Sequence, residues 1–169
     1  MLRGAFITAL FITTVACSVS DQVRVEIDPF TIPQGSYYTE QTVELPEDVQ
    51  NQAVRFDAAR VHYTVERSSG FTIGGGTITL SFYASPRTEA DAGNDCPQSG
   101  DELVFTVQLE SDDDLGTGSQ SSSALVDILN SGQESFVVAL ETESIDITAF
   151  DGELILDLEL ELNYTVSFP

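Results

Sequence analysis

Residues 153–168 read ELILDLELELNYTVSF. Apolar side chains hold every even position: Leu154, Leu156, Leu158, Leu160, Leu162, Tyr164, Val166 and Phe168. The odd positions carry Glu153, Ile155, Asp157, Glu159, Glu161, Asn163, Thr165 and Ser167. A helix would spread those leucines around its circumference, whereas a strand sends them all to one face. The period of two therefore outweighs leucine's own helical preference and predicts a long strand, one face in the core and the other in water.

Working outward, the same alternation recurs. Val23, Val25 and Ile27 alternate with Arg24, Glu26 and Asp28, and residues 37–45 are rich in β-formers. Val54–Asp57 and Val61–Glu66 alternate in opposite phase around Ala58-Ala59-Arg60, which predicts a bulge or corner. Further strands are expected over 77–83 and 103–110, the latter with Leu103, Phe105, Val107 and Leu109 on one face. Phe136, Val138 and Leu140 mark another, followed by Ile145–Thr148. Turn formers punctuate them: Asp28-Pro29, Pro33-Gln34-Gly35, Gly74-Gly75-Gly76, Asp114-Leu115-Gly116 and the hairpin signal Asp151-Gly152. One segment reads as helix, 124–130, with Ser123 as N-cap and Gly132 as its stop. The expected fold is all-β: an antiparallel β-sandwich of eight or nine strands with one short helix, an open barrel being the rival topology.

The charge restricts function. The 169 residues contain 28 Asp and Glu against six Arg and no Lys, a net charge of −22. An apolar fraction of 41%, with ten Phe and five Tyr, is too high for a disordered acidic tail. Phosphate binding needs clustered cations, so nucleic acid is excluded as a direct partner. A single histidine, His62, excludes chemistry that needs two, and no Gly-x-Ser-x-Gly elbow is present. His62 falls on the polar face of its strand beside Arg60 and Thr64, so no catalytic residue is assigned. Many carboxylates with Arg as the only cation also suit a saline habitat, where salt screens self-repulsion.

The N-terminus differs from the rest. Arg3 precedes an uncharged, largely apolar run from Gly4 to Ala16, and no acid occurs before Asp21. This is the pattern of a secretory signal peptide over residues 1–16. Its 13 residues would span about 20 Å as a helix, short of a ~30 Å hydrocarbon core. The run ends in Thr14-Val15-Ala16-Cys17, which resembles the lipobox of bacterial lipoproteins, with Thr14 where that family prefers Leu. The resemblance implies cleavage before Cys17, a diacylglycerol thioether on its sulfur and acylation of the new amino terminus. Ser18 after the cysteine implies export to an outer membrane or cell surface rather than inner-membrane retention. An ordinary cleaved signal with an incidental cysteine is the alternative. Residues 17–22 would then form the lipidated terminus and a short tether, and residues 23–169 the sandwich domain. Cleavage removes Arg3 and no acid, leaving five arginines against 28 carboxylates, a charge of −23 that anionic headgroups would repel.

With Cys17 lipidated, Cys96 is left without an intramolecular partner in a loop of turn formers, Asp91–Gly100. Acidic neighbours disfavour its thiolate. Two loops gather oxygen ligands suited to Ca²⁺: Glu89, Asp91, Asn94 and Asp95 in one, and Asp112, Asp113 and Asp114 in the other. Neither has EF-hand spacing, and solvated acidic loops are the favoured reading of both. No other cofactor is expected. The function expected is a lipid-anchored cell-envelope protein with a structural or binding role, its partners the membrane and a protein or glycan. The alternatives are a carboxylate-based hydrolase and a calcium-dependent adhesion or carbohydrate-binding module, where Tyr37, Tyr38 and Tyr83 would replace the absent Trp.

Overall fold

A computed structural model describes residues 18–33, 35–50, 53–67, 73, 76–145 and 153–167. Residues 1–16, expected as a signal peptide, Cys17, Gln34, Gly74-Gly75, 146–148, Asp151-Gly152 and Phe168 lie outside them. Eight strands are formed among the described residues: β1 (Ser18–Ile32), β2 (Tyr37–Glu44), β3 (Val54–Arg67), β4 (Thr77–Ser85), β5 (Glu102–Leu109), β6 (Gly116–Ser121), β7 (Ser135–Ile145) and β8 (Leu154–Ser167). A single turn of helix, α1 (Glu47–Gln50), follows β2, a 3-10 turn (Asp112–Asp114) follows β5, and α2 (Ser123–Leu129) joins β6 to β7.

The strands pair antiparallel in two four-stranded sheets, β1-β8-β3-β6 and β2-β7-β4-β5. The chain crosses between sheets after nearly every strand, and only β4 and β5 follow one another within a sheet. This is a jelly roll, one of the ways an all-β chain covers both inner faces. The sandwich predicted from alternation is the fold observed.

β8 is the centre of the first sheet, with β1 on one side and β3 on the other. Leu154, Leu156, Leu158, Leu160, Leu162, Tyr164 and Val166 are all buried, and the intervening residues are half-exposed. From the second sheet Phe136, Val138 and Leu140 of β7 and Ile78, Leu80 and Phe82 of β4 complete the core. Phe30 meets Phe82 edge-on with centroids 6.5 Å apart.

Three bulges tune the register. In β3 Asp57 is the extra residue between the pairs Phe56–Tyr164 and Ala58–Asn163, so the inward phase passes from Phe56 to Ala59, Val61 and Val65. This is the expected slip. Asp28-Pro29, expected as a turn, is a bulge inside the continuous strand β1, where Pro29 has no N–H to offer the ladder. In β5 Val104 is the extra residue between Phe105–Phe82 and Leu103–Tyr83. It reverses the phase, and Leu103, expected inward, is 52% exposed.

Other differences have local causes. β1 begins at Ser18, so the stretch read as tether pairs with the end of β8, from Ser18–Ser167 to Gln22–Asn163. β6, GTGSQS, has no apolar residue and hence no alternation, yet it hydrogen-bonds along β3 from Arg60 to Val65. The helix starts one residue early: Ser122 is the N-cap, its Oγ accepting from the Leu125 N–H at 3.2 Å. Leu125, Ile128 and Leu129 of α2 are buried. Beyond the helix, the Asn130 amide accepts from Phe56 N–H at 2.9 Å and donates to Phe56 C=O at 2.9 Å. It thus serves as a strand partner for β3 beyond Arg60–Ser121, where β6 ends. Gly132, at φ +81°, lets the chain turn back into β7.

Leu160→Ala, at a fully buried site, is expected to lower unfolding free energy by about 2–5 kcal/mol. Asn130→Ala leaves two backbone groups of Phe56 unmet on that side and should cost about 1–3 kcal/mol. Ser167→Ala, exposed at the end of β8, should stay within about 0.5 kcal/mol in the same urea titration.

Candidate functional site

Two polar constellations stand out, one on the outer face of each sheet. The first covers the second sheet. Tyr38, Glu40 and Thr42 alternate outward on β2, and register sets Glu40 beside Ala139 and Tyr83 in the next two strands. The segment 86–101 folds back over this face. Ala90 N–H donates to Thr42 Oγ1 at 2.9 Å, and Ser135 Oγ donates to the Thr88 carbonyl at 3.2 Å. Val137 and Ala139 of β7 are consequently buried although they point away from the core between the sheets.

Arg87 fastens the segment. Its guanidinium grips Glu40 with two bonds, Nη1 to Oε2 at 2.9 Å and Nη2 to Oε1 at 2.7 Å, and Nη2 also donates to Asp101 Oδ1 at 3.1 Å. The side chains of Glu40 and Asp101 are 0% and 1% exposed. Glu40 accepts three further bonds: from Asp91 N–H at 2.8 Å, Asn94 Nδ2 at 3.0 Å and the Tyr38 hydroxyl at 2.9 Å. Burial alone would raise the Glu40 pKa, but these donors, Arg87 first, outweigh it and hold the carboxyl at about 2. Burial, and then the bond to Glu40, push the Tyr38 phenol far above its ordinary value. The Arg87 guanidinium is raised by its bonds to Glu40. A carboxylate so saturated with donors is a fastener, not a proton shuttle.

The residues singled out as calcium ligands are dispersed. In the first loop Asp91 Oδ1 accepts from Gly93 N–H at 2.8 Å, Asn94 is turned onto Glu40, and Asp95 is exposed. In the second, Asp112 Oδ1 accepts from Ile73 N–H at 3.0 Å and Oδ2 takes a bond from Arg67. Asp114 Oδ2 accepts from the N–H groups of Glu110 and Ser111, both at 2.8 Å, and Asp113 is exposed. Those N–H donors lower the Asp112 and Asp114 carboxyls below the usual range. The two loops lie at opposite ends of β5, which at about 3.4 Å per residue separates them by some 25 Å. Among the described residues no group of three or more His, Cys, Asp and Glu is placed to hold a metal ion. Cys96 is an exposed free thiol on the 86–101 segment.

The second constellation is a trough of about 760 Å³ on the outer face of the first sheet. Its floor is β8, with Asp157 and Glu159 between Glu26 and Asp28 of β1 and His62 and Thr64 of β3; Thr117 and Ser119 of β6 form the far wall. The register sets Glu26, Glu159, His62 and Ser119 in one row across four strands. His62 Nε2 lies 3.3 Å from Glu161 Oε2, and Arg24 pairs with Glu159 at 2.9 Å and Glu161 at 3.6 Å. Tyr63 points inward beneath it, stacked on Phe105 at 5.2 Å, and its ring lies against Gly118, where any Cβ would collide. The trough presents carboxylates, hydroxyls and one imidazole, a lining that suits a ligand rich in hydrogen-bond donors. Sequence reading placed His62 on this face, but nothing along one strand says which residues of two neighbours stand beside it.

No family model matches the chain, and no curated protein matches it. Solved structures similar to it include a chain of Desmodium yellow mottle tymovirus, at 7% identity over 99% of this chain and 97% of that one, with a TM-score of 0.36. The decameric BFDV capsid protein is 10% identical over 88% of this chain and 99% of its own, with a TM-score of 0.39. A chain from infectious bursal disease virus, Gx strain, is 11% identical over 89% of this chain and 36% of its own, with a TM-score of 0.34.

Because the folded-state pKa of Glu40 is depressed, its contribution to stability is complete above about 4.5 and is lost as pH falls toward about 2. The stability gap between wild type and Glu40→Gln should therefore be widest above pH 4.5 and shrink below it. Melting temperatures of the two proteins between pH 7 and pH 2 check this.

Proposed function

We propose that the chain is an exported lipoprotein, anchored through Cys17, whose jelly roll has a structural or ligand-binding role at the cell envelope. The observation that carries this reading is the junction at Cys17. An apolar run ending in Thr14-Val15-Ala16-Cys17 is followed at once by Ser18, the first residue of β1. The chain thus passes from a membrane address into a sheet with no spacer between them. Acyl chains contribute about 0.8 kcal/mol per buried CH₂, so two or three of them hold a domain on a bilayer. Repulsion between the acidic surface and anionic headgroups favours an orientation with the domain standing away from the bilayer.

An anchor at Cys17 would hold the trough away from the bilayer. Ser18 and Glu26 are eight residues apart on β1, a distance of about 27 Å along an extended strand. The trough therefore opens well above the anchored end, toward partners outside the membrane. Its carboxylates, hydroxyls and single imidazole offer hydrogen-bonding groups to a ligand, which supports the binding role.

Cys17→Ser is expected to move the protein from the membrane fraction to the soluble fraction of the producing cell. Retention of the variant on membranes after a high-salt wash would falsify the anchor.

A further inference from the structure

The two flanks of the sandwich differ in charge. β1 and β2 form one flank, joined where Gln41 Nε2 donates to the Asp28 carbonyl at 3.0 Å. These edge strands carry Asp21, Arg24, Glu26, Asp28, Glu40 and Glu44. β5 and β6 form the other, since the Tyr63 ring touches both Phe105 and Gly118. Here Leu103–Leu109 (LVFTVQL) and all of Gly116–Ser121 (GTGSQS) lack a charged residue, in a chain where 20% of residues are charged. Among the described residues each strand ends its sheet, so each presents one row of backbone N–H and C=O groups without a ladder partner there. Edges are ordinarily guarded by charge, proline or a covering element, because an open row of this kind templates pairing with another strand. β5 has no charge or proline after Glu102, and its Leu103 is one of two large apolar side chains exposed among the described residues.

We infer that β5 is a self-association edge: two copies of this chain pair their β5 strands antiparallel about a two-fold axis within Leu103–Leu109, joining two four-stranded sheets into one of eight. A second copy is the fitting occupant because β-branched and aromatic residues fill the stretch and an antiparallel pairing is self-complementary. Charge argues for the same contact. Between molecules of −22, β1 and β2 would bring carboxylates face to face within their seams, whereas here Leu103–Leu109 is uncharged and Glu102 faces the other copy's Glu110 only at the two ends. The overall repulsion remains, so association should strengthen with salt as the Debye length falls from about 10 Å at 0.1 M to about 3 Å at 1 M.

Thr106, midway along the stretch and exposed, is the reporter position. The test uses the full chain in a nonionic detergent with Cys17→Ser and Cys96→Ser, adding either Thr106→Cys or Gln22→Cys on the opposite flank. Under mild oxidation Thr106→Cys should form a disulfide-linked dimer at least tenfold faster than Gln22→Cys, since opposed Cα atoms stand about 4.5–5.5 Å apart, within disulfide reach. The rate should rise several-fold between 0.1 M and 1 M NaCl. Sedimentation of the unmodified chain should show dimer at 1 M salt, and Thr106→Lys, melting like its parent, should be monomeric. Equal cross-linking at both positions, or a monomer at 1 M salt and 100 µM protein, overturns the inference. Neither result bears on the Cys17 anchor, which is read by fractionation.

Discussion

Burial of one unbroken row of side chains from β8 is the constraint on which the rest of the molecule depends. From Leu154 to Val166 each inward residue is buried, and the strand is flanked on both sides along nearly its whole length. A slip of one residue would turn all seven into water and bring Asp157, Glu159 and Glu161 into the core, so the register admits no near alternative. With that register set, the inward phase of β1 and β3 is set with it, and their pairing brings Glu26, Glu159, His62 and Ser119 into one row on the opposite face. The trough is thus a by-product of packing on the other side of the sheet.

The second sheet solves a different problem. Its outer face would expose Val137 and Ala139, so the segment 86–101 covers it, and that cover needs a hold stronger than loop propensity. Arg87 provides it by meeting Glu40 and Asp101 at once in a fork geometry that a lysine could not reproduce. Buried ion pairs are costly when a partner is left unmet. Here Glu40 gathers five donors. Among the described residues no buried side-chain nitrogen or oxygen lacks a hydrogen-bond partner.

The distribution of charge links these features to how the protein meets its surroundings. Carboxylates line the trough and run along the β1–β2 flank, whereas the β5–β6 flank carries them only at its ends, leaving Leu103–Leu109 and Gly116–Ser121 uncharged. An excess of acid over so much of the surface keeps copies apart in dilute salt and leaves one direction of approach open. A saline environment would lower that general barrier without altering the preferred direction.

Alternation alone was enough for an all-β chain, the inward face of β8, the phase slip in β3 and the solvent-facing position of His62, because each depends only on the order of residues along one strand; two sheets rather than an open barrel was decided by strand pairing. The sequence was also sufficient to place the helix, although its cap is Ser122 rather than the expected Ser123, where the bond from Ser122 N–H to the Ala59 carbonyl ends the preceding strand. Tertiary structure decided what depends on a neighbour. β6 is a strand only because β3 has backbone groups to satisfy. Leu103 turns outward because the extra residue, Val104, is itself apolar and leaves no mark in the pattern. The pairing of Arg87 with Glu40 and Asp101 was hidden among 28 acids that composition cannot tell apart. One-dimensional order encodes the faces of strands. Which side chains meet across a gap is settled by register and loop closure, and those are properties of the folded chain.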